Sequence, residues 1–165
     1  ILPKLLENFT IMHQTGDSKK FNDFESLSDL KKSLKPEISR KYTIKKFLHG
    51  EEITQILNKA DIVVSRAGVN TVSELLYLKI PSFLIPIRFS QRNEQLKNAQ
   101  FLNSLGLAEI GDETTLTPEH VLTSLLKMKQ NLNLYKVKSS ESLLDNNASE
   151  KIINVLKDVA GKTKT

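Results

Sequence analysis

Residues 62–74 read Ile-Val-Val-Ser-Arg-Ala-Gly-Val-Asn-Thr-Val-Ser-Glu, and this stretch decides the fold. The apolar run at 62–64 predicts a buried strand, because a short run of β-branched residues is typical of the inside of a parallel sheet. Gly68 stands at the apex of the loop that follows, and a helical pattern begins at Thr71. The N-terminus of a helix attracts phosphate, so this strand-loop-helix unit predicts a place for an anionic ligand.

The same order of strand and helix recurs along the chain. Apolar runs with strand character alternate with helical patterns, which predicts crossover units and a parallel sheet with helices on both faces. We therefore expect an α/β, Rossmann-like fold. The predicted strands cover residues 9–12, 42–48, 62–65, 82–85 and 107–110; the predicted helices cover residues 23–34, 53–60, 71–77 and 93–104, and two later helices are signalled by Thr117-Pro118-Glu119 and by Asn147-Ala148-Ser149-Glu150.

One packed domain over residues 1–165 is expected from length and composition. The 165 residues are 39% hydrophobic, which is enough for one core and small for two. The chain begins at Ile1 without a methionine or a signal-like segment, so we interpret it as a fragment of a longer protein, with a loose tail over about residues 161–165. The absence of cysteine excludes disulfides and thiolate metal sites and fits a reducing cytoplasm.

Composition also disfavours a membrane-spanning segment and a nucleic-acid partner. The most apolar stretch, residues 75–87, is interrupted by Lys79, Pro81 and Pro86 and is shorter than the roughly 20 residues that cross a bilayer. It predicts a core segment. The net charge of +5 comes from lysines spread over helices and the tail, and only 6% of residues are aromatic, so we expect no nucleic-acid partner.

Several classes of enzyme lack their motifs in this chain. Neither a dinucleotide-binding glycine fingerprint nor a phosphate-loop lysine motif is present, and no histidine pair has zinc spacing. The three histidines lie far apart and outside any nucleophile motif, so a hydrolase triad is unsupported. We interpret His49 as a turn residue and His120 as a helix-surface residue. His13 stays open, because it ends a strand on the side where parallel sheets bind ligands.

The spacing of Thr71 and Glu74 permits two interpretations. In a capping box, the threonine hydroxyl caps the helix and the glutamate side chain reaches back to the cap amide. In a ligand site, a carboxylate one turn into the helix accepts both hydroxyls of a ribose while the preceding amides face a pyrophosphate. The motif alone leaves these two interpretations about even.

Four separate motifs between residues 60 and 99 have the order and spacing of a known family. They are Ala60-Asp61-Ile62-Val63-Val64-Ser65-Arg66-Ala67-Gly68, Thr71-Val72-Ser73-Glu74-Leu75, Pro81-Ser82 to Ile85-Pro86, and Asn93-Glu94-Gln95 to Asn98-Ala99. They closely resemble the C-terminal half of the MurG family, the N-acetylglucosaminyltransferases of peptidoglycan lipid II synthesis, and the resemblance extends from residue 12 to residue 117. It implies the C-terminal, donor-binding lobe of a two-lobed GT-B glycosyltransferase.

The resemblance implies a substrate-binding role for each matching residue. Glu74 holds the ribose hydroxyls of UDP-N-acetylglucosamine (UDP-GlcNAc). Gly68, Val69 and Thr71 present backbone or hydroxyl donors to the pyrophosphate. Leu48 matches the residue whose backbone reads the uracil ring.

The sugar end of the donor site is implied in the same way. Gln95 and Asn98 match the region that hydrogen-bonds the sugar. Glu94 stands where the family commonly has histidine, and Gln91-Arg92 stands where an acidic residue is frequent, so the sugar contacts of Glu94 depart from the family pattern. Arg66 matches the loop arginine, for which an internal salt bridge and a phosphate contact are equally good interpretations.

The resemblance further implies the reaction and the partners. N-acetylglucosamine moves from UDP to undecaprenyl-pyrophosphoryl-N-acetylmuramoyl-pentapeptide (lipid I, giving lipid II) by inverting displacement, at the cytoplasmic face of the bacterial inner membrane. No metal and no cofactor are expected. The glycine-rich phosphate loop and the N-terminal acceptor lobe with the candidate base would lie upstream of Ile1, so no catalytic residue is assigned here, and the fragment alone is expected to be inactive.

Two alternatives to this function stay open from the sequence. One is another UDP-sugar enzyme of the same architecture, such as a glycolipid transferase or a UDP-GlcNAc epimerase. The other is a non-catalytic donor-binding subunit that pairs with a separate membrane-bound acceptor lobe. The sugar preference of the full protein separates the first alternative from the main hypothesis, and the extent of the full gene separates the second.

Overall fold

The computed structural model describes residues 1–136 and 148–162. The helices are α1 (Leu2–Asn8), α2 (Asp23–Ser33), α3 (Pro36–Ser39), α4 (Glu51–Leu57), α5 (Val69–Leu78), α6 (Glu94–Ser104), α7 (Pro118–Gln130) and α8 (Ala148–Lys162). The strands are β1 (Ile11–Gln14), β2 (Tyr42–Lys45), β3 (Val63–Ser65), β4 (Ser82–Leu84) and β5 (Ala108–Ile110). Short 3-10 turns occupy Gln91–Asn93 and Leu132–Leu134.

The strands form two parallel sheets. β1 pairs with β2, and β4 lies between β3 and β5. The α/β class with parallel strands is therefore confirmed, but the strands do not join into one sheet. Among the described residues, β1 and β3 each have a strand on one edge only. Val64 of β3, although apolar, is 47% exposed.

Several element boundaries differ from the predicted ones, for local reasons. The N–H of Phe9 donates to the carbonyl of Leu5 and closes α1, so β1 starts at Ile11 rather than at residue 9. β2 ends at Lys45, three residues early, although the N–H of Gly16 still reaches the carbonyl of Lys46. α4 starts at residue 51 and ends at residue 57, so Ala60 lies in the turn before β3 rather than on a helical face.

The three-stranded sheet has helices on both faces. On one face, Leu84 of β4 packs in a cluster with Leu75 of α5 and Leu102 of α6. On the other face, Phe83 packs against Leu125 and Met128 of α7. Every residue of β4 is buried, which is the pattern of a strand covered on both sides. The helices that follow β3 and β4 are thereby held with their N-termini at one edge of the sheet.

The C-terminal helices begin differently. α7 starts where Thr117-Pro118-Glu119 predicted, and the Thr117 hydroxyl accepts a hydrogen bond from the N–H of His120. α8 runs through Lys162, and its apolar residues Ile152, Val155 and Leu156 are exposed. The predicted cap Asn147 and residues 163–165 lie outside the described residues.

Within residues 1–136 and 148–162, none of the helices combines the length and the hydropathy needed to cross a bilayer.

Candidate functional site

Three loops lie together at one edge of the three-stranded sheet, because its parallel strands all end there. We call this edge the carboxyl edge; its loops are residues 66–68 after β3, 85–90 after β4 and 111–117 after β5. In open α/β sheets, ligands bind in the crevice outside the carboxyl ends of the strands. The carboxyl edge is therefore the candidate site.

The first turn of α5 has no side-chain cap. Gly68 precedes the helix, and no side chain accepts from the first-turn amides within the part of the chain that the structure describes. The capping-box interpretation is therefore wrong: α5 starts two residues earlier than predicted, and Thr71 and Glu74 both lie inside it. Because the first N–H groups of a helix lack intrahelical partners, the amides of Val69 and Asn70 remain as donors at the carboxyl edge.

Space for a ligand lies in front of Gly68. A Cβ added at Gly68 would meet no heavy atom within 4 Å among the described residues. Val69, the next residue, is 55% exposed. The positive end of the α5 dipole points to the same place, which favours an anion there. The geometry at Gly68 thus suits a phosphate group.

Glu74 lies one turn beyond Thr71 on α5, because residues three apart share a helix face. Its carboxylate is exposed, and within residues 1–136 and 148–162 it forms no hydrogen bond or ion pair. Thr71 is half-buried. A carboxylate without a protein partner, one turn from uncapped amides, is able to accept hydrogen bonds from a ligand.

α6 touches two of the site loops through side-chain amides. Asn98 donates from Nδ2 to the carbonyl of Ala67 at 3.0 Å. Gln95 accepts from the N–H of Ile87 at 3.0 Å through Oε1. Glu94, the first residue of α6, is exposed. Asn98 and Gln95 each use one end of the amide to hold a loop, which leaves Asn98 Oδ1 and Gln95 Nε2 for a ligand.

Of the two interpretations of Arg66, the structure shows the internal salt bridge. Its guanidinium donates to the carbonyl of Ile85 at 3.1 Å and forms an ion pair with Glu113 at 2.5 Å. One side chain thus connects the loops after β3, β4 and β5. The motif could not indicate Glu113, which is 47 residues away. Its only sequence signal is the neighbouring Asp-x-Thr turn pattern at residues 112–114.

Leu48 lies apart from the other predicted residues, on the loop after β2 in the two-stranded sheet. Its N–H donates to Oε1 of Gln14, the last residue of β1, at 3.0 Å. The hydrogen bond to Gln14 places Leu48 at the carboxyl end of the β1–β2 sheet. The sequence analysis did not single out Gln14 for this role. The other predicted residues (Arg66, Gly68, Val69, Thr71, Glu74, Glu94, Gln95 and Asn98) lie at the carboxyl edge of the other sheet or on the first two turns of α5 and α6.

The histidines remain outside this arrangement. His13 Nδ1 and the hydroxyl of the buried Tyr42 form a hydrogen bond of 2.8 Å. Burial lowers the pKa of His13, and the charge of Asp23 opposes this shift. His49 is exposed and stacks on Phe47. These contacts give His13 and His49 structural partners rather than a shared site.

Two concavities of the described residues lie elsewhere. One, of about 340 Å³, is at the amino ends of β3 and β4, where Asp61 and Pro81 precede the strands. Another, of about 300 Å³, lies between α2 and β2 beside Lys31 and Ser39. Neither is lined by a residue of the carboxyl edge.

A parallel sheet covered by helices on both faces, with the candidate site at its carboxyl edge, is the arrangement of a doubly wound α/β domain. The chain belongs to glycosyltransferase family 28, because the model of the glycosyltransferase family 28 C-terminal domain matches residues 2–157.

Named relatives agree with this assignment. The chain is 40% identical over 107 residues to a Clostridium kluyveri protein, covering 64% of this chain and 30% of that one. It is 32% identical over 166 residues to a Bacillus cereus protein, covering 96% and 41%. Both are called UDP-N-acetylglucosamine–N-acetylmuramyl-(pentapeptide) pyrophosphoryl-undecaprenol N-acetylglucosamine transferase, the second with the number 3. The chain spans at most about two fifths of the length of these curated relatives.

Solved structures show the same fold. MurG of Acinetobacter baumannii superposes with a TM-score of 0.72 at 25% identity, over 95% of this chain and 44% of that chain. A glycosyltransferase of kitacinnamycin superposes with a TM-score of 0.55 at 19% identity, which shows likeness of fold alone. The expected resemblance to the C-terminal domain of MurG is confirmed.

Proposed function

We propose that the chain is the donor-binding lobe of a transferase that moves N-acetylglucosamine from UDP-GlcNAc to an undecaprenyl-pyrophosphoryl-N-acetylmuramoyl acceptor. The names of the relatives support this substrate pair. The observation that carries the proposal is the start of α5, which is open at Gly68 and, among the described residues, has neither a side-chain cap nor a partner for the carboxylate of Glu74 two turns along.

The proposed donor site uses each group for one part of the nucleotide-sugar. The α5 amides and the Thr71 hydroxyl bind the diphosphate, because backbone N–H groups and the helix dipole both favour negative charge. Glu74 accepts from the two ribose hydroxyls. The free amide ends of Gln95 and Asn98, together with Glu94, face the sugar, and the backbone of Leu48 reads the uracil.

The proposed reaction places most of the chemistry outside this lobe. The acceptor 4-hydroxyl attacks the anomeric carbon of the sugar, the bond to the UDP oxygen breaks, and the hydroxyl proton passes to a base on another part of the protein. The amides of α5 stabilise the charge that develops on the departing diphosphate. The proposal includes no metal or cofactor, and it assigns no catalytic residue to this chain.

We further propose the partners of the chain and the membrane face at which the reaction occurs. The acceptor carries an undecaprenyl chain in the names of the relatives, so the reaction belongs at a membrane surface. We propose that an N-terminal acceptor lobe binds the lipid at the cytoplasmic face of the bacterial inner membrane, and that the donor lobe described here does not enter the bilayer. The chain alone is expected to bind donor without turning it over.

Equilibrium binding of UDP and ADP to the chain tests the proposal. We expect UDP to bind at least about tenfold more tightly than ADP, because a base site that pairs one edge discriminates against a base with a different edge. Equal affinities for UDP and ADP would refute the uridine assignment. Tighter binding of UDP-glucose than of UDP-GlcNAc would instead favour another UDP-sugar enzyme.

A further inference from the structure

One guanidinium group connects the three loops of the carboxyl edge. Arg66 follows β3, and its two terminal nitrogens reach different loops: one donates to the Ile85 carbonyl after β4, and the other pairs with Glu113 after β5. The two charged side chains are 48% and 39% exposed, so the ion pair is partly shielded from water. The position of residues 66–68 is therefore coupled to the loop after β5.

The loop that carries Glu113 is itself fixed. Oδ1 of Asp112 accepts from the N–H of Thr114 at 2.9 Å and from its hydroxyl at 2.8 Å, and these bonds lower the pKa of Asp112. The carbonyl of Asp112 accepts from the N–H of Leu116. Gly111 approaches the ring of Phe83 so closely that a Cβ there would lie 2.9 Å from it. Glu113 thus lies in a hydrogen-bonded turn that follows a close contact with the core at Gly111.

The residues next to Arg66 are held from a second side. Asn98 of α6 donates to the carbonyl of Ala67, which is fully buried. Gly68 then opens α5, and its carbonyl accepts from the N–H of Val72. Residues 66–68 are therefore held from two sides, by one contact to α6 and by one contact to the loop after β5.

We propose that Glu113 is a positioning residue of the diphosphate site: through its ion pair with Arg66 it holds residues 66–68 so that the amides at the start of α5 face the diphosphate. This inference rests on the proposed function, because it concerns the same ligand. Arg66 then connects the three loops, with its charge compensated by Glu113, and does not contact the phosphate.

The test compares the affinities of UDP and uridine for the chain, for Glu113→Gln and for the control Glu119→Gln. Glu119 is an exposed residue of the first turn of α7, so its variant removes the same charge without touching Arg66. We expect Glu113→Gln to bind UDP about threefold to fivefold more weakly, with uridine binding unchanged, since an ion pair of this exposure is worth up to about fivefold. Glu119→Gln keeps both affinities.

The sign of the effect separates positioning from simple charge repulsion. Removing a carboxylate near a diphosphate strengthens binding if repulsion is the only effect, so tighter or unchanged UDP binding by Glu113→Gln overturns the proposal. An equal loss for UDP and uridine also overturns it. In an Arg66→Gln background, Glu113→Gln is expected to have no further effect on UDP binding, because Glu113 acts through Arg66.

Failure of the proposed function gives a different result. If the chain binds no UDP, the positioning role is decided without ligand. In that case the backbone amide shifts of Ala67, Gly68 and Val69 must change in Glu113→Gln and stay unchanged in Glu119→Gln. Unchanged shifts in Glu113→Gln overturn the positioning role as well.

Discussion

The side chain of Asn98 donates a hydrogen bond of 3.0 Å to the backbone carbonyl of Ala67, 31 residues earlier in the chain. This bond fastens α6 to the loop before α5, so the two helices that flank the candidate site are connected by a polar contact as well as by their shared core. Ala67 is fully buried, which makes an unpaired carbonyl at this position costly.

Loss of this bond is expected to lower stability. Asn98→Ala leaves the Ala67 carbonyl without its partner, and we expect the free energy of unfolding to fall by about 1 to 3 kcal/mol. Urea denaturation measures it. Gln100→Ala, an exposed change on the same helix, serves as control and should stay within about 0.5 kcal/mol of the parent. A loss no larger than that of the control would contradict the role given to Asn98.

Glu74 is expected to act on the ribose alone. Glu74→Ala should weaken UDP binding about 10- to 100-fold, because charge-assisted hydrogen bonds contribute about 1.5 to 3 kcal/mol. The same change should leave the affinity for 2′,3′-dideoxy-UDP unaltered, since that ligand lacks both hydroxyls. Gln95→Ala is the matched comparison: it should weaken UDP-GlcNAc binding and spare UDP. Equal losses of affinity for UDP and for 2′,3′-dideoxy-UDP would contradict the assignment of Glu74 to the ribose.

Alanine at the two glycines of the carboxyl edge, Gly68 and Gly111, should lower stability by different amounts. Gly111→Ala places a Cβ against the Phe83 ring and should cost about 1 to 3 kcal/mol of stability, as overpacking does. Gly68→Ala meets open space and should cost less than about 0.5 kcal/mol. Thermal or urea unfolding checks both. Because the clash is with the ring tip, Phe83→Leu should reduce the penalty of Gly111→Ala, and an undiminished penalty would exclude that cause.

The secondary structure was largely predictable because it depends on local patterns. The strand at 82–85, the helix from 93 to 104 and the Thr117 start of α7 follow from apolar periodicity and helix-start signals. The capping box at Thr71 failed because its spacing recurs by chance inside helices, and the true start at Gly68 carries no capping side chain. Apolar periodicity also gave no reason to expect two sheets instead of one.

From local patterns alone, without the family resemblance, the candidate site was predictable only where its residues stand in one motif. Gly68, Thr71 and Glu74 share a strand-loop-helix unit, so their proximity follows from the chain itself. The partners that hold the site come from distant segments: Glu113 lies 47 residues from Arg66, and Gln14 lies 34 residues from Leu48. Such pairs depend on how the strands are ordered in space, which local patterns do not encode.

His13 is expected to make stability depend on pH. Burial lowers its pKa below the usual 6.5, so the unfolded chain binds the proton more tightly than the folded one. The contribution of His13 is therefore complete above pH 6.5 and is lost as the pH falls through the folded pKa, below that value. Urea unfolding between about pH 5.5 and 7.5 should show a slope that His13→Gln reduces.

His49→Gln is the control for this experiment. His49 is exposed and contacts the ring of Phe47, so its replacement should leave the slope in place. A slope that survives in His13→Gln, or that disappears in His49→Gln, would show that burial of His13 is not its cause.

An NMR titration of the chain with UDP-GlcNAc, with UDP-glucose and ADP as controls, tests most directly whether the carboxyl edge binds a UDP-sugar. We predict that amide shifts change from Gly68 to Glu74 and from Gln95 to Asn98, with UDP-GlcNAc saturating at the lowest concentration. Shifts centred instead on the concavity beside Asp61 and Pro81, or ADP saturating as readily as UDP-GlcNAc, would contradict the account.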